Sequence, residues 1–200
     1  FWSHSLLMAI NMQELAKLTR VCAPDELFAC GLMAQIGNLA LATIYPEKYS
    51  DLMEKKTPDQ SMDELERQYL KTDHNELTAA MLLSFGVPKI FVESIYYHDR
   101  PDESGFSEGS RPFHIVHLLY LGKQIADFGL ADESQRNMRI SELLLLGGKI
   151  GLDTESFGAL IDQVMKEWQL WGRMLKISAA EMLPPFQKMM NAVAPRPESE

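Results

Sequence analysis

Only two cysteines, Cys22 and Cys30, occur in the 200 residues. Their spacing excludes a Cys-x-x-Cys redox pair, and two are too few for a structural zinc site or a disulfide framework. They read as free thiols in a reducing cytoplasm, which is the expected location. Basic clusters are missing too. Lys and Arg number 19 against 28 Asp and Glu, giving a formal net charge of −9, and such a chain repels phosphate backbones, so nucleic acid is not an expected partner. No apolar run is expected to approach the roughly 20 residues of a bilayer span, the longest, around Leu143 to Leu146, being stopped by Gly147 and Gly148. A membrane partner is therefore not expected either. A Gly-rich phosphate loop, a Ser/His/Asp order and a Cys nucleophile are all absent. No secretory leader is visible, and the chain starts at Phe1 without a methionine and within a helical pattern, so a fragment of a longer protein is expected.

What is present is apolar and helical. Hydrophobic residues make up 46% of the chain, with 12 Gly and 10 Pro, the composition of a globular protein long enough to bury a core. Leu6, Leu7, Ile10, Leu15 and Leu18 predict an amphipathic helix from Trp2 to about Leu18, with Ser3 as cap. Pro24 opens a second helix, with Asp25 and Glu26 in its first turn, predicted to run unbroken to Tyr45 through the middle of a bundle. Gly31 and Gly37 inside it point to close helix approach. Further helices are predicted from Pro46 to Lys55, from a capping box at Ser61 and Glu64, from a second box at Asp73 and Glu76 to about Gly86, from Pro88 to Tyr97, and from Pro112 to Phe128. A turn falls at Thr57-Pro58-Asp59, and Asp99 to Ser110 is the longest expected loop. Ser141 is expected to cap a short helix ending at Gly147-Gly148, and Asp153 or Thr154 to start a long one whose stripe, including Trp168 and Trp171, reads as core packing, with a dedicated partner-binding face as the alternative. Ser178 with Glu181 suggests one more capped turn, interrupted by Pro184-Pro185, before a disordered tail at 195–200.

The most informative stretch is Gly31-Leu32-Met33-Ala34-Gln35-Ile36-Gly37. In metal-dependent phosphohydrolases of the HD superfamily a segment of this shape reads Gly-Leu-Leu-His-Asp-Ile-Gly, and its His-Asp pair grips a divalent metal. Ala34 offers no ligand atom, and the neutral amide of Gln35 replaces a carboxylate. With Trp2-Ser3-His4-Ser5-Leu6, Tyr45-Pro46-Glu47-Lys48-Tyr49, Asp73-His74, Phe85-Gly86-Val87-Pro88 and Ile95-Tyr96-Tyr97-His98, the chain resembles the HDOD family, non-catalytic relatives of the HD hydrolases, over roughly residues 1 to 130.

The resemblance implies an all-α, HD-domain-like helical bundle at 1–130, lacking the helices that usually precede it in the family, followed by a C-terminal helical extension at 131–194. It also places a vestigial pocket at His4, Ala34, Gln35, His74, Tyr97, His98 and Tyr120. In the related HD-GYP phosphodiesterases, which hydrolyse cyclic di-GMP, His4 and His74 match ligand histidines. The stretch Tyr97-His98-Asp99-Arg100-Pro101-Asp102-Glu103-Ser104-Gly105-Phe106-Ser107 resembles an eroded signature, and Tyr120 lines up with a final ligand aspartate. No catalytic residue, metal or cofactor is expected, because a site that activates water needs several ligands converging on the cation. Histidines hydrogen-bonded within a bundle are the commoner outcome for His4, His74 and His98. His114 and His117 share a helix face, a spacing that is more often incidental than metal-binding. The implied function is that of a bacterial signal-transduction domain binding a partner protein or an adjacent receiver or GGDEF domain. The alternatives are a diverged phosphodiesterase or a nucleotide sensor using the old pocket. Phe1 and Trp2, apolar at the chain start, are expected to be covered either by the Trp168/Trp171 helix or by a second copy in a homodimer.

Overall fold

The computed structural model describes residues 1–57, 60–177 and 183–193, and among these every regular element is helical. The expected turn at Thr57-Pro58-Asp59, the Ser178/Glu181 cap and the tail lie wholly or partly outside the described residues. In order the helices are α1 (Trp2–Thr19), α2 (Pro24–Met33), α3 (Ile36–Ile44), α4 (Pro46–Lys55), α5 (Met62–Leu70), α6 (His74–Ser84), α7 (Lys89–Tyr96), α8 (Arg111–Leu130), α9 (Glu133–Lys149), α10 (Thr154–Leu175) and α11 (Phe186–Val193), with a single 3-10 turn at Pro101–Glu103. They form two compact units. The first comprises Ala29–Tyr120 together with Phe1, and the second Trp2–Phe28 together with Leu121–Glu200.

In the second unit α1 is the buried element. Ser5 through Met12 are all buried, eight residues in succession, so this helix is enclosed on every side rather than amphipathic as its pattern suggests. Of its buried polar residues, Asn11 donates its Nδ2 to the Gly122 carbonyl at 3.0 Å. The helix begins at Trp2, so Ser3 lies inside it and is not its cap. Against α1 lies α10, whose Trp168 is 1% exposed and donates its indole N–H to the Ser3 carbonyl at 3.2 Å. The tryptophan helix therefore packs on α1, but Phe1 and Trp2 stay 41% and 59% exposed, so the cover expected for those two residues is not what α10 provides, and Trp171 is 39% exposed beside Phe28. Gly129 on α8 admits Leu7 and Met165, either of which a Cβ there would strike at under 3 Å.

A longer α9 replaces the short helix expected from Ser141. Asp132 is its cap, accepting from the Gln135 amide at 2.8 Å, and Ser141 sits in its interior. Gly147 and Gly148 do not stop it. Gly147 serves the approach of the Phe157 ring, and the left-handed residue that ends the helix is Gly151, at φ +82°. Asp132→Ala is expected to lower stability by about 1 kcal/mol in urea unfolding, the usual worth of such a cap, while Ser141→Ala leaves it within about 0.5 kcal/mol.

In the first unit the segment predicted as one helix from Pro24 to Tyr45 breaks at Ala34-Gln35, where Gln35 leaves helical geometry at φ −115°, ψ 20°. The break directs the Gly37 N–H out of the helix, to the hydroxyl of Thr78 on α6 at 2.9 Å. A Cβ on Gly37 would collide with the His74 carbonyl, which is how closely α3 and α6 approach. By length and composition Pro24–Ile44, 21 residues with mean hydropathy 1.7, meets the requirement for a bilayer span, correcting the expectation that no run comes near it. A third of that window is buried, and the break divides it. Asp73 caps α6 as expected, bonding the Glu76 amide at 2.8 Å. Ser61 precedes α5 but makes no cap bond; its hydroxyl is turned to Asp63 instead.

Candidate functional site

The polar centre of the first unit is His74, in the first turn of α6. Its Nδ1 lies 2.6 Å from Glu66 Oε2 on α5, and its Nε2 lies 3.1 Å from Asp99 Oδ2, just after α7. The same Glu66 oxygen accepts the His74 backbone N–H at 2.8 Å. Carboxylates only accept when ionised, so both ring nitrogens donate and the imidazole is a cation. Burial opposes that charge, yet the hydrogen bonds to Asp99 and Glu66 outweigh it and push the His74 pKa up to about 9. Glu66 is wholly buried.

Asp99 is the meeting point of the cluster. Its Oδ2 also accepts from Asn75 Nδ2 at 2.9 Å, and its Oδ1 stands 3.5 Å from His98 Nε2. His98 is fully buried, and its Nδ1 must carry the proton it donates to the Ile95 carbonyl at 2.7 Å. Around this core, Arg67 bonds Asp73 at 2.6 Å and Asp63 at 3.0 Å, and Arg100 reaches Asp63 at 3.4 Å. Burial would raise the Asp63 pKa, but the Ser61 hydroxyl and the Arg100, Arg67 and His74 charges hold it below the usual range. On α4, burial beside Glu66 pushes the Tyr49 phenol well up, so it remains neutral.

Of the expected pocket residues, His74 and His98 are thus brought together through Asp99. Ala34 is fully buried, and Gln35 sits half-buried at the head of α3 without a capping bond. Tyr97 is half-buried with its ring T-shaped to that of Phe106, and Tyr120 is half-buried on α8. His4 belongs to the second unit, where its Nε2 meets Asp127 Oδ1 at 3.0 Å. Burial works against the Asp127 charge, and His4, Lys123 and Arg139 more than offset it, holding its pKa low. His114 is exposed, while His117 donates Nδ1 to the Phe113 carbonyl and stacks on the Phe113 ring.

The sequence reading missed Asp63, Glu66, Arg67, Asn75 and Asp99 as members of the cluster. Asp63, Glu66 and Arg67 stand at i, i+3 and i+4 on α5, so they share a face, and that was the available signal. The residues do not fit a divalent metal: Ala34 offers no donor atom and both His74 nitrogens are committed to carboxylates. Among the described residues no group of three or more His, Cys, Asp or Glu is arranged to hold one.

The all-helical frame agrees with comparison to known proteins. The HDOD domain family model matches residues 1–101. The chain belongs to the HDOD family. Among solved structures, this HDOD chain is similar to the MmoQ response regulator from Methylococcus capsulatus str. Bath, at 30% identity with TM-score 0.62, covering 80% of this chain and 59% of that one. A fragment of the same regulator gives 29% identity and TM-score 0.61 over 78% and 58% of the two chains. A candidate phosphohydrolase from Shewanella amazonensis SB2B, 24% identical, shares the fold with TM-score 0.66 over 89% and 63%. The HDOD chain thus spans about three fifths of the length of each solved structure. Comparison with curated proteins gives no match.

Proposed function

We propose that this HDOD chain is a non-catalytic signal-transduction domain of the bacterial cytoplasm that works by binding a partner protein or a neighbouring domain of receiver or GGDEF type. The observation that carries the reading is the internal neutralisation of the old centre. Each of its four carboxylates faces a cation belonging to the chain itself: Asp63 meets Arg67 and Arg100, Asp73 meets Arg67, and Glu66 and Asp99 meet His74. In a hydrolytic centre the carboxylates balance the metal, and the metal lowers the pKa of its water. Here the imidazolium and two guanidiniums balance them, so a metal would have to displace a buried cation to enter. The similarity to a response regulator supports a place in signalling.

The purified protein, supplied with Mn²⁺, Mg²⁺ or Fe²⁺, is expected to turn over neither cyclic di-GMP nor a generic phosphodiester and to retain no stoichiometric metal by elemental analysis. Turnover that disappears in His74→Ala would sink the proposal. A rise in melting temperature with cyclic di-GMP but without turnover would favour a nucleotide sensor instead.

A further inference from the structure

The segment between α7 and α8 is fastened in an uneven way. None of residues 101–110 is buried, although they follow directly on the fully buried His98. Within the segment the amides of Glu103, Ser104 and Ser110 bond to the carbonyls of Arg100, Pro101 and Ser107. Gly105 and Gly109 adopt φ of +66° and +77°, the left-handed conformation that glycine takes without strain. Local turns thus hold the segment in shape. The strong attachments lie at its base. Asp99 receives His74, Asn75 and His98, and Arg100 reaches both Asp63 and Glu103. Farther along, the half-buried Phe106 and Tyr97 rings meet T-shaped at 6.1 Å between centroids, and the exposed Asp102 is 3.9 Å from His117, contacts without a buried charge-assisted bond.

We propose that residues 101–110 form a strap clasped to the first unit by Asp99 and Arg100, and that the strap opens as one piece, with the surrounding helices intact, when the clasp is released. The physical basis is the contrast in attachment strength. Charge-assisted bonds in a buried setting are the strong ones, whereas an exposed ion pair near 4 Å contributes little. Regions with few buried contacts are drawn from the low end of local stability. Opening uncovers the edge of His74, Asn75 and His98 that Asp99 now faces. It requires no unfolding of α6, whose own cap is Asp73. The inference stands whether or not the chain is catalytic.

Hydrogen exchange read by mass spectrometry on the full chain at neutral pH tests it with Asp99→Asn and Arg100→Gln. Lys89→Gln, which breaks only the exposed pair with Glu93, serves as control. Each clasp variant is expected to speed exchange of the amides in 101–110 on the order of tenfold, well beyond any change in peptides from α6 and α7, with α10 unchanged and the control matching wild type. Equal acceleration in α6 and α7 would make Asp99 an ordinary packing staple and overturn the strap. Unchanged exchange in 101–110 would overturn it as well. Arg100, the more exposed partner, keeps the test decisive should Asp99→Asn fail to fold: acceleration of the strap well beyond that of α6 and α7 in Arg100→Gln supports the clasp, and any other pattern removes it.

Discussion

Replacing His74 by alanine is expected to destabilise the first unit by about 3–5 kcal/mol, the range seen when one partner of a buried ion pair is removed. The loss strands Glu66, wholly buried, and Asp99 without their shared cation. His74→Gln preserves a donor but not the charge, and is expected to fall between wild type and alanine. Urea unfolding followed by circular dichroism measures both. The pH dependence identifies charge as the cause. The folded-state pKa is about 9 against an ordinary 6.5, so on raising the pH the unfolded chain gives up its proton first. The stabilisation is fully present below pH 6.5 and is lost as the pH climbs through about 9. A shift of that size corresponds to about 3 kcal/mol. Wild type should lose this amount between pH 6 and pH 10 while His74→Gln does not, and parallel curves for the two would refute the imidazolium.

A second large effect is expected from the smallest of changes, Gly37→Ala. The added methyl would meet the backbone carbonyl of His74 and stand 2.6 Å from Thr78 Oγ1. Backbone cannot rotate aside as a side chain can, so α3 and α6 must separate. The hydrogen bond from the Gly37 amide to Thr78 is then lost with the fit. The expected cost is about 3 kcal/mol, the upper end for overpacking. Gly148→Ala, where a methyl meets nothing within 4 Å, should instead stabilise α9 by up to about 1 kcal/mol. Equal effects at the two glycines in a denaturant series would show that helix propensity, not contact, decides both.

Most helices were legible because Pro46, Pro24, Asp73 and Asp153 mark their own starts in sequence. The break at Ala34-Gln35 was not, because the apolar pattern continues across it and the reason for it, Thr78, lies 41 residues away. Burial of α1 on all sides was hidden by Ser5 and Asn11, which look solvent-facing in sequence, although the Gly122 carbonyl accepts from Asn11 inside the unit. At the site, His74 and His98 were legible through the motif they resemble. Their partners were not: Asp63 and Glu66 lie in a charge-rich helix that reads as a solvated surface, and only a third-dimensional neighbour turns Glu66 into a buried counter-ion. Ser141 and the Gly147-Gly148 pair misled for a related reason, since a glycine admitting a ring looks the same in sequence as one ending a helix.

The bond between Trp168 and the Ser3 carbonyl joins residues 165 positions apart, and His4 meets Asp127 across 123. In the first unit the comparable ties, from Glu66 to His74 to Asp99, close over 8 and 25 residues. Chain closure over longer separations is slower and costs more entropy before contact rewards it. On a ribosome, then, α1 emerges early and waits with Leu6, Leu7 and Ile10 lacking α10, while the helices around His74 already have every partner in hand. The order of assembly is thereby inverted relative to the order of synthesis: α1, made before the helices around His74, finds its place after them.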